Sequence, residues 1–191
     1  MKIKVCGTRE EQNLKELLAL NPDYIGFIFY PKSPRFVSEL PIIDWPETVE
    51  KVGVFVNESL ENINTTCTKF GIKTLQLHGD ESVTFCQLAK NKGYTIIKAF
   101  NVGDDFDFFS LTPYKTVVDY FLFDASGDKR GGNGITFNWE LLKQYDQQIP
   151  YFLSGGIGPL HAEVVKSDWL AEIAPYALDL NSKFEIKPGL K

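Results

Sequence analysis

Eight short apolar runs, evenly spaced along the whole chain, constrain this sequence more than any other feature. They cover residues 2–6, 24–29, 52–56, 74–78, 95–100, 120–124, 150–154 and 176–180. Each is rich in Val, Ile, Leu, Phe or Tyr and reads as a β-strand. The interval from one run to the next is about 20 to 30 residues, enough for a strand, a turn and a helix. Most of the intervening stretches read as helices. Thr8-Arg9-Glu10-Glu11 has the form of a capping box, with Leu14, Leu17 and Leu18 following on one helical face. Asp80 is placed to cap a helix carrying Val83, Phe85, Leu88 and Ala89. Pro159 after Gly158 reads as a helix start, where a missing N–H costs little.

Eight alternating β and α units predict a parallel sheet closed into a (β/α)₈ TIM barrel, whereas a doubly wound sheet would use five or six strands. No linker or low-complexity stretch separates a second unit, so residues 1–191 are expected to form a single catalytic domain. After the eighth run only residues 181–191 remain, which predicts a short or missing final helix.

Composition narrows the function. The fraction of hydrophobic residues is 43%, enough for a full core in a chain of 191 residues. A net charge of −5 excludes broad nucleic-acid binding. No apolar run reaches the roughly 18 residues of a membrane span. Cys6, Cys67 and Cys86 form no CxxC pair, and the odd count without a signal peptide fits a reducing, cytoplasmic setting. His78 and His161 are far apart and no carboxylate cluster stands beside them, so a metal site is not expected. Cys67 and Cys86 fall on predicted helices and read as packing residues, and His161 as an exposed helix residue. Oligomeric state is left open by the sequence, a homodimer being one option.

In a closed parallel barrel all strands end on one rim, and catalytic groups sit there. Cys6 ends the first run and Asp124 the sixth, a thiol and a carboxylate able to carry protons. Strand alternation places Cys6 on the face opposite Ile3 and Val5, which points it into the mouth if those two pack under the helices. A free thiol has a pKa of about 8.5 and needs a nearby cation to populate the thiolate. Donation from an aspartate requires the opposite, a raised pKa. His78 ends the fourth run and reads as a rim residue bracing the pocket, while Gln76 and Lys4 are read as an inward polar pair. Gly155 and Gly156 let the backbone approach an anion closely, and the amides near Asn181 and Ser182 can complete a phosphate cradle. Gly132 and Gly134 shape the sixth loop.

These segments together resemble the phosphoribosylanthranilate isomerase family. The resemblance rests on Lys4-Val5-Cys6-Gly7-Thr8, on Gly26-Phe27-Ile28-Phe29 with Ser33-Pro34-Arg35-Phe36-Val37, and on Val52 to Asn57. It continues in Leu75 to Glu81, in Asp124 with Gly131-Gly132-Asn133-Gly134 and Phe137-Asn138-Trp139, in Ser154-Gly155-Gly156-Ile157, and in Asp179-Leu180-Asn181-Ser182. Three positions depart from the family pattern: Asn133 and Asn138 stand for the usual Thr and Asp, and Lys183 for a common Gly. The resemblance implies a ribulose-phosphate-binding barrel acting on N-(5-phosphoribosyl)anthranilate without a cofactor. It makes Cys6 the general base, Asp124 the general acid and Arg35 the group that orients the anthranilate carboxylate. Substrate contacts are expected from His78, Gly132, Gly134, Gly155, Gly156, Asn181 and Ser182. Two alternatives stand beside it. One is another sugar-phosphate isomerase of this fold, against which Cys6 in place of a strand-end Asp argues. The other is a non-catalytic phosphate-binding barrel.

Overall fold

A computed structural model describes residues 1–124, 139–165 and 172–191, without the side chains of residues 164–165. Eight parallel strands close in sequence order, β1 pairing with both β2 and β8. They are β1 (Lys2–Cys6), β2 (Tyr24–Ile28), β3 (Glu50–Phe55), β4 (Thr74–Leu77), β5 (Thr95–Asn101), β6 (Tyr120–Asp124), β7 (Tyr151–Ser154) and β8 (Ala177–Leu180). All eight coincide with the runs read from the sequence to within two residues.

The layer outside the barrel is less regular than the sequence reading. Helices α1 (Glu11–Ala19), α2 (Leu60–Phe70) and α3 (Val83–Asn91) follow β1, β3 and β4. Between β2 and β3 the chain makes no helix, and Trp45 covers the sheet there, with its ring 5.9 Å from that of Phe27. After β5 and β6 the described elements are 3₁₀ turns, Phe108–Tyr114 and Trp139–Gln144. A 3₁₀ turn presents few side chains, and aromatic rings make up the missing area. Tyr145 lies 5.0 Å from Phe123 and 5.6 Å from Tyr151 in edge-to-face contacts, and Phe108 lies 5.8 Å from Phe123. Such rings bury up to about 250 Å² each. After β7 come a 3₁₀ turn, Pro159–His161, and α4 (Ala162–Val165). The Pro159 start is as expected. His161 is half-buried rather than exposed, and its Nδ1 accepts from the Gly158 amide at 3.0 Å.

Two capping assignments change. Helix α1 begins at Glu11, and its N-cap Glu10 makes no side-chain cap. Thr8 is fully buried, and its hydroxyl has no hydrogen-bond partner among the described residues, so the expected box does not form. The α3 cap is Ser82, whose hydroxyl accepts from the Phe85 amide at 3.2 Å, and Asp80 lies two residues too early. Cys67 and Cys86 are buried on α2 and α3, as packing residues should be.

Strand alternation sends one set of side chains outward against this layer and the other into the barrel. Tyr24, Val52, Ile97, Ala99, Leu122, Phe152 and Ala177 form a cluster inside. At its amino-terminal end the hydroxyls of Tyr24 and Tyr176 meet at 3.0 Å, and Tyr120 lies 4.8 Å from Tyr176. Burial pushes the Tyr120 phenol up to about 12. This end of the barrel is thus closed by neutral, mutually bonded groups. The opposite end is charged.

Candidate active site

Cys6 and Asp124 both stand at the carboxyl-terminal end of their strands and share the rim, as the eight-unit reading requires. Val5 and Ile3 pack in the outer core, so Cys6 faces inward. Lys4, two residues earlier on the same face, is fully buried. The β1–β8 register sets Lys4 beside Asp179, and its ammonium donates to Asp179 Oδ1 at 2.8 Å. The β1–β2 register sets Cys6 beside Gly26. A methyl group on Gly26 would fall 2.7 Å from Cys6 Sγ and 3.2 Å from Lys4 Nζ, so thiol and ammonium lie over the same bare backbone. Burial pushes the Cys6 thiol up, and Asp179 adds to this, while Lys4 and more distant Lys191 pull it down. Burial also disfavours the Lys4 charge, but Asp179 and the Cys6 sulfur outweigh it and hold Lys4 above its ordinary value.

Across the mouth, Asp124 Oδ2 lies 3.5 Å from His78 Nε2, and His78 Nδ1 lies 2.8 Å from Gln76 Nε2. The expected pairing of Gln76 with Lys4 is therefore replaced by two separate pairs, Lys4–Asp179 and Gln76–His78. Both residues do point inward, but the strand registers give each a nearer partner.

Arg35 reaches the rim from the loop after β2. Its Nε and Nη2 are bound to Glu185 through bonds of 2.6 to 3.0 Å, so one edge of the guanidinium is occupied by the protein's own carboxylate. The Nη1 end makes no hydrogen bond among the described residues, and the side chain is 19% exposed, which leaves that edge for a ligand. Glu185 also accepts from Lys191 Nζ at 2.9 Å and from the Gly189 amide at 3.0 Å. Its own burial would raise the carboxyl, but these donors hold it down at about 2. Asn181 Oδ1 lies 3.3 Å from Lys191 Nζ. The sequence alone does not single out Lys4, Asp179, Glu185 and Lys191 as site residues. The signal for Lys4 was present, since alternation puts it on the Cys6 face, where a lysine requires a counter-ion.

Gly155 and Gly156 follow β7 with φ of +96° and +68°, the left-handed backbone that favours glycine. Asn181 and Ser182 follow β8 next to them on the rim, where Ser182 opens a 3₁₀ turn, Ser182–Phe184. Lys183 packs its stem on Gly158. Gly132 and Gly134 lie outside the described residues. A hollow of 440 Å³ opens at the other end of the barrel, beside Lys2, Asp23, Tyr24, Trp45 and Tyr176, and none of these site residues lines it. Among the described residues no cluster of His, Cys, Asp or Glu could hold a metal ion, and no helix is long and apolar enough to cross a membrane.

A closed parallel barrel with a thiol, a carboxylate and a guanidinium on its carboxyl rim has the architecture of a (β/α)₈ enzyme, whose active sites lie on that rim. Comparison with known proteins makes this specific. The family model of N-(5'-phosphoribosyl)anthranilate isomerase matches residues 3–191. The N-(5'-phosphoribosyl)anthranilate isomerase of Parabacteroides distasonis is 43% identical over all of this chain and 88% of its own length. The crystal structure of the Thermotoga maritima enzyme superposes with a TM-score of 0.85 at 30% identity, covering all of this chain and 92% of that one. A structure of the isomerase in complex with reduced 1-(o-carboxyphenylamino)-1-deoxyribulose 5-phosphate gives 0.82 at 29% identity, with the same coverage. The chain belongs to the N-(5'-phosphoribosyl)anthranilate isomerase family.

Proposed function

We infer that this chain converts N-(5'-phosphoribosyl)anthranilate to 1-(2-carboxyphenylamino)-1-deoxyribulose 5-phosphate, an Amadori rearrangement in tryptophan biosynthesis. The observation that carries the mechanism is the convergence of Cys6 and Asp124 on one rim from β1 and β6, three places apart round the closed barrel. In this reading the Asp124 carboxyl protonates the ribose ring oxygen, and the C1–O bond breaks to leave a protonated Schiff base. That cation acidifies the C2 proton, which the Cys6 thiolate removes to give an enolamine. The thiol then returns a proton to C1 while the C2 hydroxyl proton passes to the Asp124 carboxylate, which yields the ketone and restores both groups. General acid–base steps of this kind contribute about 10²- to 10⁴-fold each.

The Nη1 edge of Arg35 takes the anthranilate carboxylate, and the Gly155-Gly156 turn with the amides at Asn181 and Ser182 takes the phosphate. His78, already against Asp124, contacts the sugar. Gly132 and Gly134 complete the pocket from the sixth loop. Residues 1–191 act as one catalytic domain in the cytoplasm. A homodimer is the expected assembly, supported by the Thermotoga maritima relative, which is described as dimeric. Sedimentation velocity tests it.

The deciding experiment follows substrate fluorescence after enzyme is added. Fluorescence is expected to decay with the wild-type chain and to persist with Cys6→Ala or Asp124→Ala. Unchanged turnover in both variants would overturn the mechanism.

A further inference from the structure

As a general base, Cys6 faces a difficulty. A base must be deprotonated, yet burial works against the thiolate. The remedy lies directly below it. Lys4 is fully buried and its oxygen partner among the described residues is Asp179 alone, at 2.8 Å. An ammonium has three donors. Lys98, the other deeply buried lysine of the described core, spends its donors on Glu81 at 3.2 Å and on the carbonyls of Leu77, Gly79 and Ala99 at 2.7 to 3.2 Å. Lys4 has no such carbonyl set. Its remaining donor capacity faces the Cys6 sulfur over Gly26, where a side chain on β2 would collide with the sulfur and crowd the ammonium.

We propose that Lys4 is a positioning residue for the isomerase reaction: its buried ammonium, held in place by Asp179, holds the Cys6 thiolate as the counter-ion that makes this cysteine a base. The proposal rests on Cys6 being the general base. Asp179 has two effects. It keeps Lys4 charged in a dry site, and its own negative charge opposes the thiolate. The pair therefore supplies a cation whose effect is moderated rather than maximal, which keeps the thiol able to return its proton at C1.

The other charged groups around Cys6 are Arg35 from the loop after β2 and Lys191 from the segment after β8, both tied to Glu185. Asp124 and His78 face Asp179 from across the mouth. Arg35 and Lys191 favour the thiolate but share a carboxylate that cancels part of their charge, which leaves Lys4 as the principal cation on the sulfur.

The test titrates thiolate absorbance near 240 nm in each protein against its own Cys6→Ala counterpart, which removes tyrosine and the other cysteines from the difference. Four proteins are compared: wild type, Lys4→Met, Asp179→Asn and the double variant Lys4→Met/Asp179→Leu. The Cys6 titration is expected lowest in Asp179→Asn, then wild type, then the double variant, then Lys4→Met. The upward shift in Lys4→Met should be about one pH unit or more, the usual effect of an adjacent opposite charge. The acid limb of kcat/KM should move with it, lowering kcat/KM on that limb about tenfold per unit. If Lys4→Met leaves Asp179 uncompensated and does not fold, the double variant carries the test, since it removes both charges together. A Cys6 titration in that variant at or below the wild-type position overturns the proposal, as does an unshifted titration in folded Lys4→Met. The absorbance readout needs no substrate, so loss of this inference is separate from loss of the isomerase reading, which fails only if wild-type turnover is absent or survives removal of both Cys6 and Asp124.

Discussion

Lys4 and Lys98 are both buried to within 2% of complete exclusion from solvent, and both face a carboxylate. Their surroundings differ. Lys98 points outward from β5 under α3, and its four oxygen partners tie the ends of β4 and β5 to Glu81, which itself accepts from the amides of Asn57 and Gly79. Every donor is used locally, and the result is a brace. Lys4 points into the barrel with, among the described residues, a single oxygen partner, Asp179, and the Cys6 sulfur. At equal burial, Lys98 is saturated by backbone carbonyls and Glu81, whereas Lys4, in the role proposed above, keeps a donor for a group that changes its protonation state.

Several substitutions would break or sharpen this contrast. The largest effect is expected from Cys6→Ala, which should lower turnover by about 10²- to 10⁴-fold with the melting temperature nearly unchanged. Adding Lys4→Met to Cys6→Ala should then cost no further activity, because the ammonium would have no base to serve. Additive losses in the double variant would sever the link between the two residues.

Next comes Lys98→Met. It leaves Glu81 buried without its cation and should destabilise the fold by about 3 to 5 kcal/mol. Urea unfolding measures this, and kcat of the folded fraction should stay at the wild-type value. A large fall in kcat would mean that Lys98, too, acts on the reaction.

Glu185 is an intermediate case, a buried carboxylate that serves both the fold and Arg35. Its folded-state value of about 2 lies below its ordinary 4.5, so its contribution is complete above pH 4.5 and is lost as pH falls through about 2. The contribution is about 3 kcal/mol. The stability difference between wild type and Glu185→Gln should be flat near neutrality and shrink across that acid window. A difference that stays constant down to pH 2 would remove Glu185 from the linkage.

The smallest effect is expected for Arg35→Lys. An ammonium cannot hold Glu185 along one edge and a ligand carboxylate along the other. KM should rise about tenfold while kcat changes little, as steady-state kinetics can show.

Much of this barrel is legible in the sequence because strand pairing in a closed parallel sheet demands apolar runs at regular intervals. Cys6, Asp124 and His78 are visible because strand ends are where such runs stop. The outer layer is harder to read. No helix forms between β2 and β3, and among the described residues aromatic rings at the 3₁₀ turns pack beside β6, a contact that periodicity does not register. Thr8 has the composition of a cap but sits buried in the turn after β1, while the helix waits for Glu11. The partners of Lys4 and Arg35 are illegible for a different reason. Asp179 lies 175 residues from Lys4, and Glu185 lies 150 from Arg35. Such pairs come from closure of the ring, and local pattern contains no trace of them.

Those separations have a consequence for biosynthesis. The barrel closes through β1 and β8, and Asn13 on α1 is bonded through both ends of its amide to the backbone of Lys191. During vectorial synthesis, β1 with Lys4 and Cys6 is made long before Asp179, the ion-pair partner of Lys4 175 residues further along the chain. Until then Cys6 and Lys4 belong to an unpaired sheet edge, the kind of surface that mispairs in partly made chains. Pulse-labelled nascent chains should therefore show a Cys6 that stays open to alkylation until the segment after β8 has left the ribosome, and closes in one late step.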